Sequence, residues 1–274
     1  MFQLYPPSGK PLPKELTSYD FAKMYAVTLM LVDHAGYYFF AEEEFNWLRV
    51  IGRLCVPVWF FLIGYARSRD LSPRLWIGAL ILVGANIVTG QFIFPLNILA
   101  TMIFIRIILD PVMERAVRDY EILIGIGFIA LFMTIPLSSV WEYGSSGLFF
   151  AMFGWFMRNR ERINYKYKGV VETFVLAFCV AFFGLLQTLI FSFNETQSAV
   201  MVLGLIIVCS LLYFFRPETY PRFTGALPYP LVWLIQLFGR RTLEIYVLHL
   251  IAFKFVSLMS GDPRFGWFDF SFML

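Results

Sequence analysis

The chain has 274 residues, 59% of them apolar and 15% charged, with a formal net charge of +3. Soluble domains carry roughly a quarter charged residues, and a mean hydropathy of +0.70 with 32 phenylalanines excludes an ordinary soluble fold. Apolar runs extend along nearly the whole chain, so composition predicts a single polytopic membrane domain over 1–274, and the small basic excess speaks to topology rather than to nucleic acid.

The opening MFQLYPPSGKPLPKELTSYD is polar and Pro-rich, with no small-residue cleavage site after a short apolar region, so it does not read as a secretory signal peptide. The apolar runs that follow predict an all-α transmembrane bundle of about nine spans, with about eight to ten as the range. They lie near 20–40, 47–67, 74–93, 96–113, 121–138, 144–158, 169–191, 197–215 and 242–260. LPYPLVWLIQLFG, just before the last run, is too short to cross and is expected at the interface or as a re-entrant piece.

Basic loops set the expected orientation, because Lys and Arg are retained on the cytoplasmic side. RSRDLSPR, ERAVRDYE, RNRERINYKYK and FRPETYPR follow the second, fourth, sixth and eighth runs, whereas AEEEF, FP, SSVWEY and NETQ follow the odd ones. The N-terminus is therefore expected in the cytoplasm, in an integral protein of a bacterial inner membrane. Lipid bilayer is its surroundings. Cys55, Cys179 and Cys209 each sit inside an apolar run without CxxC or metal-ligand spacing, which reads as buried thiols and no metal.

Ionisable groups at membrane depth are costly and by default mark a site facing the protein interior or a wet cavity. Lys23, Asp33 and His34 lie in the first run and Arg53 in the second. Lys23 and His34 are eleven residues apart, which returns His34 to within about 20° of Lys23 on a helix and about 16 Å further along it. They share one face. His34 and Arg53 are each six residues from the loop that joins the two runs, so they reach similar depth across a helical hairpin. Asp33 is about 100° round from His34 and is placed to pair with Arg53 or with another helix. In this set His34 is the candidate general base; Arg53 could pair with Asp33, hold a phosphate or polarise a carbonyl.

A second cluster occupies FGRRTLEIYVLHLIAFK, where Glu244 and Arg241 are three apart and read as a structural pair, and where Tyr246 and His249 enter the last span. Asn86, Gln91, Asn97, Arg106 and Gln187 are further polar residues at depth, and Arg106, the costliest to bury, is a candidate for an anionic ligand as much as for an ion pair. Tyr37, Tyr38, Trp47 and Trp59 read as interface belt or packing.

KMYAVTLMLVDH resembles the basic-residue, ten-residue gap, histidine signature of the acyltransferase family 3 membrane proteins. The combination of MLVDHAGYYF, LRVIGRLCVPVWFFLIGYARS, PLNILATM and GRRTLEIYVLHL more closely resembles the TraX family, whose founding activity is N-terminal acetylation of conjugative pilin. The resemblance implies an acyl-CoA donor, acetyl-CoA first, used from the cytoplasm, and an acceptor protein amine or glycan hydroxyl reached within or across the membrane. His34 then takes the place of the catalytic histidine and Lys23 that of its basic partner, with Asp33 and Arg53 beside the reaction and Lys23, Arg53 and Arg106 toward the coenzyme. The alternative is a transporter in which Lys23, Asp33, His34 and Arg53 form a proton or ion relay. A purely structural subunit leaves the co-facial charges unexplained.

Overall fold

The computed structural model describes residues 12–40, 46–163 and 168–273, and among them every regular element is a helix. The acidic loop over 41–45 and part of the basic loop over 164–167 lie outside the described residues.

Helix α1 spans Ser18–Phe39 and begins on a capping box: Thr17 accepts from the Asp20 N–H, while the Asp20 carboxylate accepts from the Thr17 N–H. The same carboxylate takes a two-pronged pair from Arg240, Nε at 2.9 Å and Nη2 at 3.0 Å, which ties the start of α1 to the end of the helix over Tyr229–Arg240. The second apolar run is two helices, α2 at Asn46–Gly52 and α3 at Cys55–Tyr65, rather than one continuous span. Pro57 explains the break: it has no N–H to offer the Arg53 carbonyl four residues back, and its ring crowds that carbonyl. Val56 N–H donates to it instead at 3.1 Å. Arg53 thus sits at the discontinuity.

Helices α4 at Pro73–Val88, α5 at Ile98–Ala116, α6 at Tyr120–Ser138, α7 at Ser146–Asn159, α8 at Lys168–Phe191, α9 at Glu195–Tyr213 and α12 at Thr242–Met259 occupy the other expected places. Between the last two lie α10, Pro221–Ala226, and α11, Tyr229–Arg240. Among the described residues, five segments are by length and composition able to cross a membrane: Asn46–Tyr65, Glu121–Ser138, Val171–Phe191, Glu195–Tyr213 and Thr242–Met259. Each of the nine expected positions holds helix, but α1 carries three charged side chains and α5 four, α4 is shorter, and α7 has only 14 residues. The short α7 is the central helix, with Leu148 through Gly154 all buried.

Helix α3 presses on α7 backbone to backbone. A Cβ on Gly64 would overlap the Ala151 carbonyl, and one on Gly154 the Phe61 carbonyl, so glycine at both places permits the approach. Phe60, Phe61, Phe150 and Phe153 fill the surrounding core. Facing outward, Leu80, Ile129, Phe132, Ile135, Leu189 and Leu211 are each more than half exposed, as lipid-facing positions are. Helix α11 buries Val232 and Ile235 against Leu16 and leaves Trp233 and Leu234 exposed. The three cysteines are free and buried.

At one end of the bundle the loop after α4 is stitched to the C-terminal segment, with Ile93 N–H to the Ser271 carbonyl at 3.1 Å and Phe94 N–H to that of Phe272 at 2.9 Å. The same loop holds the turn after α6: Leu96 N–H donates to the Val140 carbonyl, and Glu142 N–H to that of Leu96. At the opposite end Ser18 bonds the Arg216 carbonyl, so the start of α1 shares an end with the basic loops.

A two-sided candidate active site

Two cavities, of about 300 Å³ and about 230 Å³, lie end to end in the bundle and share Asp33, His34, Glu142, Tyr143 and Tyr246 as lining. The inner one runs from the end bearing the basic loops and is lined by Lys23, Arg106, Trp59 and Ala66 among others. The outer one takes Tyr37, Arg49, Arg53, Asn86, Gln91 and Lys254. His34 stands where they meet.

Its protonation pattern follows from its partners. The His249 Nδ1 lies 2.7 Å from the Ile245 carbonyl, which can only accept, so that nitrogen carries the hydrogen. The neutral His249 ring then has a lone pair on Nε2, which faces His34 Nδ1 at 2.6 Å. His34 Nδ1 must therefore be the donor, and His34 Nε2 is left with a lone pair. No hydrogen bond among the described residues uses it.

Asp33 is 3% exposed and lies between two arginines. Its Oδ1 is 3.0 Å from Arg49 Nη1 and 3.3 Å from Arg53 Nε, and Arg49 also donates to the Asp33 backbone carbonyl at 2.8 Å. Both approaches to Oδ1 are ion-pair distances without hydrogen-bond alignment. A Cβ on Gly52 would overlap the Asp33 backbone, so a glycine lets α2 bring both arginines against α1. Phe191, at the end of α8, receives both guanidinium groups on its ring, at 4.9 Å for Arg49 and 4.7 Å for Arg53.

Arg53 Nη1 donates to the Tyr143 hydroxyl. Tyr143 has φ of 69°, an uncommon backbone state for a side chain of this size, next to Gly144 at 48°. The neighbouring Glu142 carboxylate accepts from the Ile98 N–H at 2.9 Å, at the start of α5, where an anion is favoured by the helix dipole. On the outer side Lys254 is 7% exposed, with its ammonium over the Tyr38 ring at 5.6 Å. On the inner side the buried Nε of Arg106 has no hydrogen-bond partner among the described residues, and Nη1 makes a 3.4 Å contact to the Asp70 carbonyl.

A family profile described as TraX protein matches residues 18–257. The chain belongs to the TraX family. No curated protein and no solved structure matches it. For this TraX-family chain the expected site residues separate cleanly. Lys23, Asp33, His34, Arg53, Arg106 and Tyr246 all line the cavities, and His249 joins them through His34. Glu244 does not: it pairs with Arg241 at 3.1 Å, is 40% exposed, and borders neither cavity. His34 and Arg53 face the same outer cavity, and Arg53 is ion-paired with Asp33 and donates to the Tyr143 hydroxyl.

Sequence reasoning passed over Arg49, Glu142, Tyr143 and Lys254. Arg49 and Arg53 are four apart, the spacing of one helix face, a signal available beforehand. Lys254 stands two four-residue steps beyond Tyr246 on α12, also a legible spacing. Glu142 and Tyr143 carried no such signal, being in a loop that folds inward. Asn97 caps α5, accepting from Leu99 and Ala100 N–H, and Asn86 donates to the Phe92 carbonyl, so these two polar residues serve the backbone first.

Proposed function

We propose that the protein is a membrane acyltransferase that moves an acyl group, acetyl in the first instance, from coenzyme A to an amine or hydroxyl acceptor. Candidate acceptors are a pilin N-terminus or a cell-surface glycan. The observation that carries this reading is His34 Nε2, a free lone pair at the junction of two cavities that open toward opposite ends of the bundle. Family membership supports the acyl chemistry.

In this reading the thioester arrives through the inner cavity from the cytoplasm, with the N-terminus on that side, and the acceptor through the outer cavity. His34 Nε2 takes the proton from the acceptor O–H, or from a neutral amine N–H, as that atom bonds to the thioester carbonyl carbon. The Tyr143 oxygen already accepts from Arg53, so its own O–H is available for the developing oxyanion. Collapse breaks the C–S bond, and the His34 imidazolium returns its proton to the departing thiolate. His249 and the Ile245 carbonyl hold the imidazole in the required tautomer.

The test is release of free coenzyme A by the purified protein from acetyl-CoA with amine and sugar acceptors, alongside thermal stabilisation by coenzyme A. Neither response, together with uptake driven by an ion gradient in vesicles, would replace the enzyme reading by the relay reading.

A further inference from the structure

A third cavity, of about 1000 Å³, opens at the end of the bundle where three of the four basic loops converge. Among the described residues its walls carry six arginines against three carboxylates. Two of the arginines are occupied structurally. Arg69 donates to the Ile63, Gly64 and Ala66 carbonyls and pairs with Asp110, closing the end of α3; Arg160 is held by Glu172 and Tyr213. The other four, Arg67, Arg158, Arg162 and Arg216, have no carboxylate partner among the described residues. Arg158 lies in the last turn of α7 and the other three lie in the loops after α3, α7 and α9, all facing one space. Such a collection repels itself and is stabilised by a polyanion.

Ala66 lines both this bowl and the inner cavity. From there the inner cavity follows α3 back to Cys55, eleven residues or about 16 Å away, and reaches His34. Its walls along the way include the apolar Trp59, Leu62, Ile63 and Met102, with Lys23 and the unpartnered Arg106 Nε at intervals. The shape is that of a ligand with a compact polyanionic head and one slender, mostly uncharged arm. Trp155 borders the bowl, its Nε1 donating to Asp110 at 3.0 Å, and offers a face on which a base can stack.

We infer that this arginine bowl is the docking site for the phosphorylated nucleotide head of the donor, with the pantetheine arm threading past Ala66 to place the thioester at His34. The inference deepens the acyl-CoA reading and depends on it. A free phosphate or an anionic lipid headgroup shares the head's chemistry, but neither accounts for the arm-shaped passage from the bowl to the histidine.

Equilibrium binding to the full-length protein in phosphatidylcholine nanodiscs tests it, with coenzyme A, adenosine 3′,5′-bisphosphate, pantetheine and inorganic phosphate as probes. Coenzyme A and the bisphosphate are expected to compete, with pantetheine and phosphate far weaker. Arg158→Gln/Arg162→Gln and, from the two other loops, Arg67→Gln/Arg216→Gln should each weaken both nucleotide probes by about tenfold or more, as loss of charge-assisted phosphate contacts requires. Ala66→Trp should keep the bisphosphate and lose coenzyme A. Coenzyme A binding that both double variants leave intact overturns the bowl while sparing the donor assignment; no coenzyme A binding by the unmodified protein overturns both. Phosphate competing as well as the bisphosphate, or retention of phosphatidylglycerol being what the variants weaken, reassigns the bowl to those anions and overturns the inference.

Discussion

His34 and His249, 215 residues apart, meet through Nδ1 and Nε2 at 2.6 Å. Because His249 also donates to its own helix at Ile245, the direction of the chain is fixed, and the histidine of α1 is the one with a free lone pair. Replacing His34 by Ala should lower turnover by about 10²–10⁴-fold, the usual worth of a positioned general base. His249→Ala should cost about 10–100-fold, as loss of an orienting partner does. His249→Gln, whose carbonyl can accept at the Nε2 position, should recover part of that loss. Rates of coenzyme A release for the three variants check the assignment, and a Gln variant no better than Ala would count against orientation as the role.

The Asp33 carboxylate compensates two largely buried guanidinium groups, Arg49 and Arg53. Asp33→Ala leaves both charges buried and is expected to destabilise by about 3–5 kcal/mol. Removing Arg49 in the same background should recover part of this. Unfolding in detergent, followed by loss of helical signal, measures both changes.

The α3–α7 contact makes two glycine substitutions act with opposite sign. At Gly64 an added methyl meets the Ala151 carbonyl, so Gly64→Ala should cost about 1–3 kcal/mol or more through overpacking. In α6, Gly125 has open space where the methyl would lie, so Gly125→Ala should be neutral or stabilise by up to about 1 kcal/mol. Thermal midpoints of the two variants compared with the parent decide it. Equal effects would mean that helix propensity, rather than the close approach, governs both sites.

Beyond the last span, Arg264 grips Asp262 and also donates to the Tyr37 and Tyr38 carbonyls at the end of α1. The hydrogen bonds from Arg264 hold the Asp262 carboxyl below its ordinary range. The folded form therefore binds fewer protons than the unfolded one, and this stabilisation is present above about pH 4 and fades as pH falls below it. Asp262→Asn should lower the thermal midpoint at pH 7 and lower it by less at pH 3. A midpoint gap that is the same at both values would show that the clamp is not ionic.

The sequence by itself determined the helical membrane class, the places of the helices, and the ionisable residues worth attention. Those follow from local quantities: apolar run length against bilayer thickness, the cost of charge at depth, and the angle between residues on one helix. It also carried the family, through motifs whose parts now have physical meanings, Gly52 for close approach to Asp33 and Pro57 for the break at Arg53. Tertiary structure decided what no spacing within a helix contains. It brought His249 of α12 to His34 of α1, turned Glu142 and Tyr143 inward from a loop, left Glu244 outside, and gathered arginines of three loops around one bowl. Each of these is a contact between segments distant in the chain, set by how helix faces pack.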